Sequence, residues 1–464
     1  MITIAEPKEL IDKLWGKQKI REDDTYRLMR YVLRVDHEDK VLLHNVVTGR
    51  LVVLEREEAE ALETLPAAYN PTMEQLVTEH YLVPETFDEH QQVINLRKIL
   101  RSLDDAHKSD AITKFAILPT TACNARCYYC FEHGIKAVSM DEQMAKKVAG
   151  YIIDHCGGEK VYLTWFGGEP TVSANRIDQI CEILRSNGIE YQSNIITNGY
   201  LLGNEMSLRA KSLWNLKTAQ ISVDGGETNT NRIKSFVGAK DNPYQQVLRN
   251  VEMLIRLGIK VSIRMNFDLN NYQDFKILLK DLLQKVSDKK LLQVVATPVL
   301  GEYVNNDGVI LHGDDKWMEE KIVDLNDMAR DCGLLRFGSQ LPHLEFSGCS
   351  AADKTYTIIG PSGKLFRCLE CVHEYQSVGD IDVGVTIDDL YESWKELADY
   401  DKCRVCSMFP WCMKMKNCSS NDRCYQLDHF QQCDFTIRNM CKQFMNKEDD
   451  RDGISGAESG VYSN

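Results

Sequence analysis

The chain lacks several features that would place it in large protein classes. No run of eighteen apolar residues occurs in its 464 positions, so a membrane-crossing helix is not expected. The opening MITIAEPKEL has no basic segment followed by an apolar one, so a secretory signal is not expected and a cytoplasmic protein is. Positive charge is in deficit: 55 Lys and Arg stand against 69 Asp and Glu, a formal net charge of −14. That argues against a nucleic-acid surface spread over the whole protein. Repeats and low-complexity blocks are missing. The first 122 residues hold no cysteine, although the chain has 16.

The remaining composition, 43% hydrophobic and 27% charged, is that of a globular protein. Its length makes two or three domains the expectation. In a cytosolic chain, disulfides explain so many thiols poorly, and metal or cluster ligation explains them better. Three cysteines lie at 123–130, Cys156 and Cys181 follow, and eleven run from Cys332 to Cys441. The expected organisation is therefore a cysteine-free domain over 1–105, a core over 106–325, a cysteine-dense domain over 326–445 and a polar, disordered tail over 446–464.

Residues 1–105 read as a small α+β unit. TYRLMRYVLRVD, KVLLHNVV and RLVVLE are β-rich runs separated by His37-Glu38-Asp39 and Thr48-Gly49. Helical stretches follow at EREEAEALETL, PTMEQLVTEH and about 88–103. Three strands and then helices resemble a winged helix. With 14 basic and 21 acidic residues, the unit is not a DNA reader. Its sheet edge could accept a peptide strand, or the unit could be purely structural.

Residues 111–300 alternate β-rich runs (114–119, 161–166, 194–197, 218–223, 260–266 and 291–298) with helix-like segments such as DEQMAKKVAGYIIDH. This rhythm implies a parallel α/β sheet, closed or partly closed, with too few strands for an eight-stranded barrel. Each run ends in polar or glycine-rich chemistry, where parallel βα folds collect their active sites. After the first run stands TTACNARCYYCFEHG, with Cys123, Cys127 and Cys130 spaced C-x3-C-x2-C. Three thiolates on one loop can wrap a cubane cluster and leave one iron free of protein. Structural zinc usually takes four ligands in paired C-x2-C units, and the fourth is missing locally.

C-x3-C-x2-C with the aromatic Tyr129 before its last cysteine resembles the signature of the radical S-adenosylmethionine (SAM) superfamily. The resemblance implies that the open iron chelates SAM, whose reductive cleavage yields a 5′-deoxyadenosyl radical. It further implies cofactor contacts from Gly167, Gly168 and Glu169 in GGEP, Asn198 in TNG, and Ser222 before Asp224. Arg264 would pair with the SAM carboxylate, with Asn266 a weaker candidate beside it. Relatives often carry His-Asp or His-Asn where this chain has Thr230-Asn231, so Thr230 is assigned no role.

The C-terminal cysteines, beginning C-x13-G-x4-C at Cys349, Gly363 and Cys368 and including C-x2-C-x5-C at 403–412, resemble a SPASM domain over about residues 345–443. The implied fold is a partial (β/α)6 TIM-like barrel with an N-terminal winged-helix-like α+β domain and a C-terminal iron–sulfur SPASM domain. Two auxiliary [4Fe-4S] clusters are implied beside the SAM cluster. Cys349, Cys368 and Cys418 would serve the first, with Cys371 its candidate fourth ligand unless a substrate thiolate takes that place. Cys403, Cys406, Cys412 and Cys433 would serve the second, with Cys424 competing with Cys418 or Cys433. Zinc is the alternative for this region. Cys156, Cys181 and Cys441 read as buried thiols, and Cys332 is unassigned.

Radical SAM plus SPASM implies a peptide or protein substrate. Sulfatase-maturing enzymes place a basic Asp after the cysteine equivalent to Cys368, where this chain has Leu369 and then Glu370. They also lack an N-terminal recognition domain. The unit at 1–105 resembles the precursor-peptide recognition element of ribosomal-peptide (RiPP) maturases, its third strand at 50–55 pairing with a leader. A maturase forming Cys thioethers, of ranthipeptide or sactipeptide type, is therefore expected, with flavodoxin or ferredoxin as external electron donor. No substrate base is assigned. The alternatives are carbon–carbon crosslinking, epimerisation, sulfatase maturation, a quinone-cofactor maturase or a non-enzymatic iron–sulfur electron-transfer scaffold. Loaded protein should contain about twelve irons per chain. An iron assay near four would remove both auxiliary clusters.

Overall fold

The structure, a computed structural model, describes residues 7–130, 132, 134–239, 242–299, 315–335, 342–346, 348–418 and 441. Helix α1 (Pro7–Trp15) comes first. Strands β1 (Thr25–Leu28), β2 (Val32–His37), β3 (Lys40–Asn45) and β4 (Arg50–Glu55) follow. The run read as one strand from Thr25 is thus two. Residues 29–31 turn the chain, β1 pairs with β5 (Ala67–Ala68) and β6 (Leu82–Pro84), and β2 pairs with β3. Alternation alone cannot report such a break, because Met29 and Tyr31 are as buried as the strands around them. The antiparallel order β2-β3-β4 leaves β4 paired on one side among the described residues.

Helices α2 (Arg56–Ala59), α3 (Glu74–Thr78) and α4 (Glu89–His107) complete the N-terminal unit. Asp88 caps α4 by accepting from the Gln91 amide at 3.0 Å, satisfying one of the first-turn donors. Its apolar stripe Val93, Leu96 and Leu100 is buried in a core shared with Tyr26, Val41, Leu43 and Val83.

Six parallel strands then lie side by side in chain order: β7 (Lys114–Thr120), β8 (Val161–Gly167), β9 (Tyr191–Thr197), β10 (Leu216–Val223), β11 (Lys260–Phe267) and β12 (Leu292–Pro298). Helices α5 (Glu142–His155), α6 (Ala174–Ser186), α7 (Asn204–Ser212), α8 (Glu227–Lys234), α9 (Pro243–Arg256) and α10 (Phe275–Lys285) make the crossovers, and α11 (Asp315–Asp331) follows the last strand. Along β11, Val261, Ile263, Met265 and Phe267 are buried, while Ser262, Arg264 and Asn266 on the other face remain accessible. The same period of two leaves Thr218, Gln220 and Ser222 half-buried on β10, and Gln293, Val295 and Thr297 on β12. On β10 to β12 one face therefore packs on helices and the other is a polar, open concavity. Towards β7 and β8 that second face is a buried apolar cluster, in which Ala116, Leu118 and Phe166 meet Tyr356 and Ile358 of the cysteine-dense region.

The cysteine-dense region adds β13 (Tyr356–Ile359), parallel to β7, and then β14 (Lys364–Phe366), β15 (Gly379–Asp380) and β16 (Gly384–Val385) in antiparallel order. All four residues of β13 are buried. The barrel sheet thus runs on into the C-terminal region. That region feeds both cores: Ala351, Ile359, Leu365 and Trp394 join the barrel core, and Leu344, Cys403, Met408 and Phe409 join the N-terminal one. Among the described residues, no helix is long and apolar enough to cross a membrane.

His80 is buried between Trp15 and Phe87, at ring-centroid distances of 5.2 and 6.2 Å, with a left-handed φ of 59°. Burial lowers its pKa from 6.5 to about 4. Its neutral form is the native one. As pH falls from 6.5 towards 4 the unfolded chain takes the proton and the folded chain does not, so the N-terminal unit should lose up to about 3 kcal/mol. His80→Asn, which tolerates the same backbone conformation, should flatten this loss in thermal melts across that range. An equally steep loss in the variant would assign it to another group.

Candidate functional site

The loop after β7 carries Cys123, Cys127 and Cys130, and the C-terminal end of β8 is pressed against it. Gly168 donates to the Thr120 carbonyl at 3.2 Å, and Glu169 donates to that of Ala122 at 3.0 Å. A Cβ on Gly168 would stand 2.5 and 2.6 Å from the Thr121 and Ala122 carbonyl oxygens. Gly167 has a φ of 117°, and a Cβ there would collide with the Thr120 carbonyl. Both glycines are needed for backbone to meet backbone.

The Glu169 carboxylate is 1% exposed. It accepts from the Thr171 amide at 3.1 Å, the Thr171 hydroxyl, the Thr197 hydroxyl at 2.7 Å and the Asn198 amide at 2.8 Å. Burial raises its pKa against these four donors. Asn198 also donates through Nδ2 to Asn124 Oδ1 at 2.7 Å, joining the end of β9 to the cysteine loop.

A second network lies across the concavity. Tyr129 donates to Asp224, and its hydroxyl accepts from Lys234 Nζ at 3.1 Å and Asn266 Nδ2 at 2.9 Å. Lys234 also donates to Ser222 Oγ at 2.8 Å and pairs with Asp224 at 3.2 Å. Burial opposes the lysine's charge, but Asp224, with Cys127 and Tyr129 nearby, holds its pKa well above the ordinary value. Lys234 closes α8 in NRIKSF, where no motif or spacing marks it. Asn124 does carry a positional signal, its place between two of the cysteines, which motif reading passes over. Arg264 is exposed in the concavity as the cross-strand neighbour of Ser222. The hydroxyl of Thr230 serves local structure: it donates to the Gly225 carbonyl at 3.0 Å and accepts from the Asp224 amide at 3.3 Å.

In the C-terminal region, the Cys368 thiol is raised far above its usual pKa by a hydrogen bond with Cys371 and by burial. Those two thiols are therefore together. Cys349 and Cys368 both act electrostatically on Tyr356. Cys403, Cys406 and Cys412 share one turn-rich loop, in which the Tyr400 amide donates to Cys403 Sγ at 3.3 Å and the Lys414 amide to Cys412 Sγ at 3.5 Å. Cys418 lies just beyond it, half-buried. Cys424, Cys433 and the expected tail lie outside the described residues. Cys156, Cys181 and Cys441 are fully buried.

Among the described residues, no three of these side chains converge as metal ligands. The donor sets nevertheless suit iron–sulfur groups. Three thiols share the first loop, and the Ala125 amide donates to Cys123 Sγ at 3.3 Å. Burial raises the pKa of all three thiols, and the Lys234 cation offsets part of that rise at Cys127 and Cys130.

Comparison with known proteins agrees with this geometry. Residues 117–282 match the radical SAM superfamily model. The chain carries a radical SAM domain. An Fe-coproporphyrin III synthase of Methanosarcina barkeri is 27% identical over 168 residues, which are 36% of this chain and 39% of that protein. The chain thus spans about two fifths of that curated relative. Among solved structures, anSMEcpe with bound AdoMet and Cp18Cys peptide superposes with a TM-score of 0.55 at 14% identity, covering 72% of this chain and 99% of that one. SuiB of Streptococcus suis bound to S-adenosylmethionine superposes with a TM-score of 0.50 at 17% identity, covering 85% and 95%. At these identities the likeness is one of fold. It extends beyond the matched domain into the flanking regions.

The two glycines yield a direct test. Gly168→Ala should force the Thr121–Ala122 backbone away and lower bound iron by about four per chain, the content of one cubane cluster. Unchanged iron with unchanged SAM affinity would show that the close approach is dispensable.

Proposed function

We propose that this chain is a radical SAM peptide maturase that binds a precursor leader and installs crosslinks, Cys thioethers first among them, in the core peptide. The observation that carries this reading is the N-terminal sheet, whose outer strand β4 has one side unpaired among the described residues. Such an edge suits a peptide added as a further strand. The start of β4 is braced for that role: Arg50 pairs with Asp12 of α1 at 2.8 Å and with Glu79 at the end of α3. Neighbours of the same fold have been solved with peptides bound, among them anSMEcpe with Cp18Cys.

In this reading Cys123, Cys127 and Cys130 hold the SAM cluster. Gly167, Gly168, Glu169, Asn198, Ser222, Arg264 and Tyr129 surround SAM. Glu169 supplies buried negative charge towards the ammonium, and Arg264 supplies positive charge towards the carboxylate. When bound, SAM and its cluster supply a 5′-deoxyadenosyl radical that abstracts hydrogen from the substrate. The chain's own residues orient. Lys234 and Asn266 fix the Tyr129 hydroxyl, and the glycine pair keeps the cysteine loop against the strand ends. The polar inner face, with Gln220, Ser262 and Gln293, offers donors and acceptors that suit a peptide backbone. Cys349, Cys368, Cys371 and Cys418, and Cys403, Cys406, Cys412 and Cys433, would hold two auxiliary clusters. A small external reductant such as flavodoxin or ferredoxin would provide electrons. Leu369 stands where sulfatase-maturing enzymes place an aspartate, which disfavours that branch.

The test is mass spectrometry of the peptide encoded beside this gene after co-expression. A loss of two hydrogens per link, with Cys alkylation blocked, is expected. Unchanged mass with altered stereochemistry would replace crosslinking with epimerisation. The triple variant Cys123/Cys127/Cys130→Ala should leave leader binding intact and abolish both the mass change and SAM cleavage. Continued modification by that variant would overturn the mechanism.

A further inference from the structure

Helix α4 belongs to the N-terminal unit, but one of its stripes faces the C-terminal cysteines. Residues 90, 97 and 101 share that stripe by helical spacing. His90, 4% exposed, reaches Asp399 Oδ1 at 2.8 Å, and its ring lies 4.4 Å from that of Phe409. Arg101 donates to the carbonyls of Lys395 and, at 3.3 Å, Ala352.

Between them, Arg97 is 2% exposed. Its Nε donates to the Glu345 carbonyl at 3.1 Å. Its Nη2 lies 2.6 Å from the carbonyl oxygen of Phe409, 2.9 Å from that of Pro410 and 2.6 Å from that of Cys412. The guanidinium carbon stands 4.7 Å from the centre of the Phe409 ring. These contacts engage Nε and Nη2 but leave the charge, and among the described residues no carboxylate forms an ion pair with it. The groups able to carry negative charge towards it are the Cys412 and Cys403 thiols, with Tyr31 and Glu345. A buried cation without an ion-paired anion is costly. A thiolate-ligated iron–sulfur cluster on Cys403, Cys406 and Cys412 would be that anion.

We propose that Arg97 is a positioning residue for the second auxiliary cluster: from the N-terminal unit it fixes the 409–412 turn and supplies the buried positive charge that the cluster balances. This rests on the reading of Cys403, Cys406 and Cys412 as ligands. Two consequences follow. The guanidinium favours the more negative, reduced cluster, so its removal lowers that cluster's potential. The fork of carbonyl contacts holds Cys412 in place, so a lysine, which keeps the charge on a single point, loosens the site.

The test uses the full chain, reconstituted anaerobically, with iron release to a chelator and EPR-monitored redox titration as readouts. In Arg97→Lys, about a third of the iron should leave about tenfold faster, while the rest leaves at the parent rate. In Arg97→Met, one cluster signal should titrate at lower potential with the others unmoved. Parent-like release and potentials in both variants would overturn the proposal, as would equal acceleration of all the iron. If Arg97→Met does not fold, the release phases of Arg97→Lys decide. A Cys403/Cys406/Cys412→Ser chain separates the two levels. If it holds as much iron as the parent, the ligand reading fails and takes the proposal with it. If it loses a third while the Arg97 variants behave as parent, only the role of Arg97 fails.

Discussion

Buried charge is costly unless it is paired or hydrogen-bonded, and three groups of cysteines in this chain each lie beside a buried cation. Lys234 stands by Cys127 and Cys130, Arg367 by Cys349, and Arg97 by Cys403 and Cys412, each 3% exposed or less. Their compensation differs. Lys234 has a buried carboxylate, Asp224, as its ion-pair partner at 3.2 Å. The two arginines are held by carbonyl hydrogen bonds rather than by ion pairs: Arg367 donates to the carbonyls of Ala351 at 2.9 Å, Asp353 at 2.7 Å and Tyr356. Arginine suits that use, because its charge persists through burial and its fork can bind several carbonyls.

The parallel sheet turns this local constraint into a site. Its strands end together, so loops far apart in sequence meet: the cysteine loop after β7, Gly167 to Glu169 after β8, Asn198 after β9 and Asp224 after β10. The glycine pair sets the spacing, since any side chain there would hold β8 away from the cysteine loop. Glu169 then ties β8 to β9 through Thr197 and Asn198. Strand alternation does the rest. One face is filled with apolar side chains against the helices, and on β10 to β12 the other is left polar and accessible.

What the sequence made legible was local. All six parallel strands stand where β-rich runs followed by glycine or polar ends were read, because each run was rich in β-branched and aromatic residues and bounded by turn chemistry. The cysteine loop, GGEP and TNG were legible for the same reason, being short motifs with fixed spacing. The division of Thr25–Asp36 between two sheets was not, since the turn residues Met29 and Tyr31 are core residues in their own right. Nor was β13, a four-residue strand whose place beside β7 depends on pairing across more than 230 residues. Lys234 and Arg97 were invisible for a related reason. Both look like ordinary helix cations, and only the packing of another segment over them makes them buried.

The boundaries drawn through the sequence do not mark mechanical boundaries. The C-terminal region contributes a strand to the barrel sheet and Phe409, Met408 and Cys403 to the N-terminal core. The link between α4 and the 399–412 loop combines carbonyl hydrogen bonds, the His90–Asp399 contact and ring packing, with Arg97, His90 and Phe409 all buried. Exposed ion pairs would let two domains shift at small cost, whereas buried contacts of this kind resist displacement. An N-terminal unit held in this way is a fixed wall of the molecule. A peptide docked on β4 would meet a unit already held in place, and binding would lose less free energy to ordering the protein.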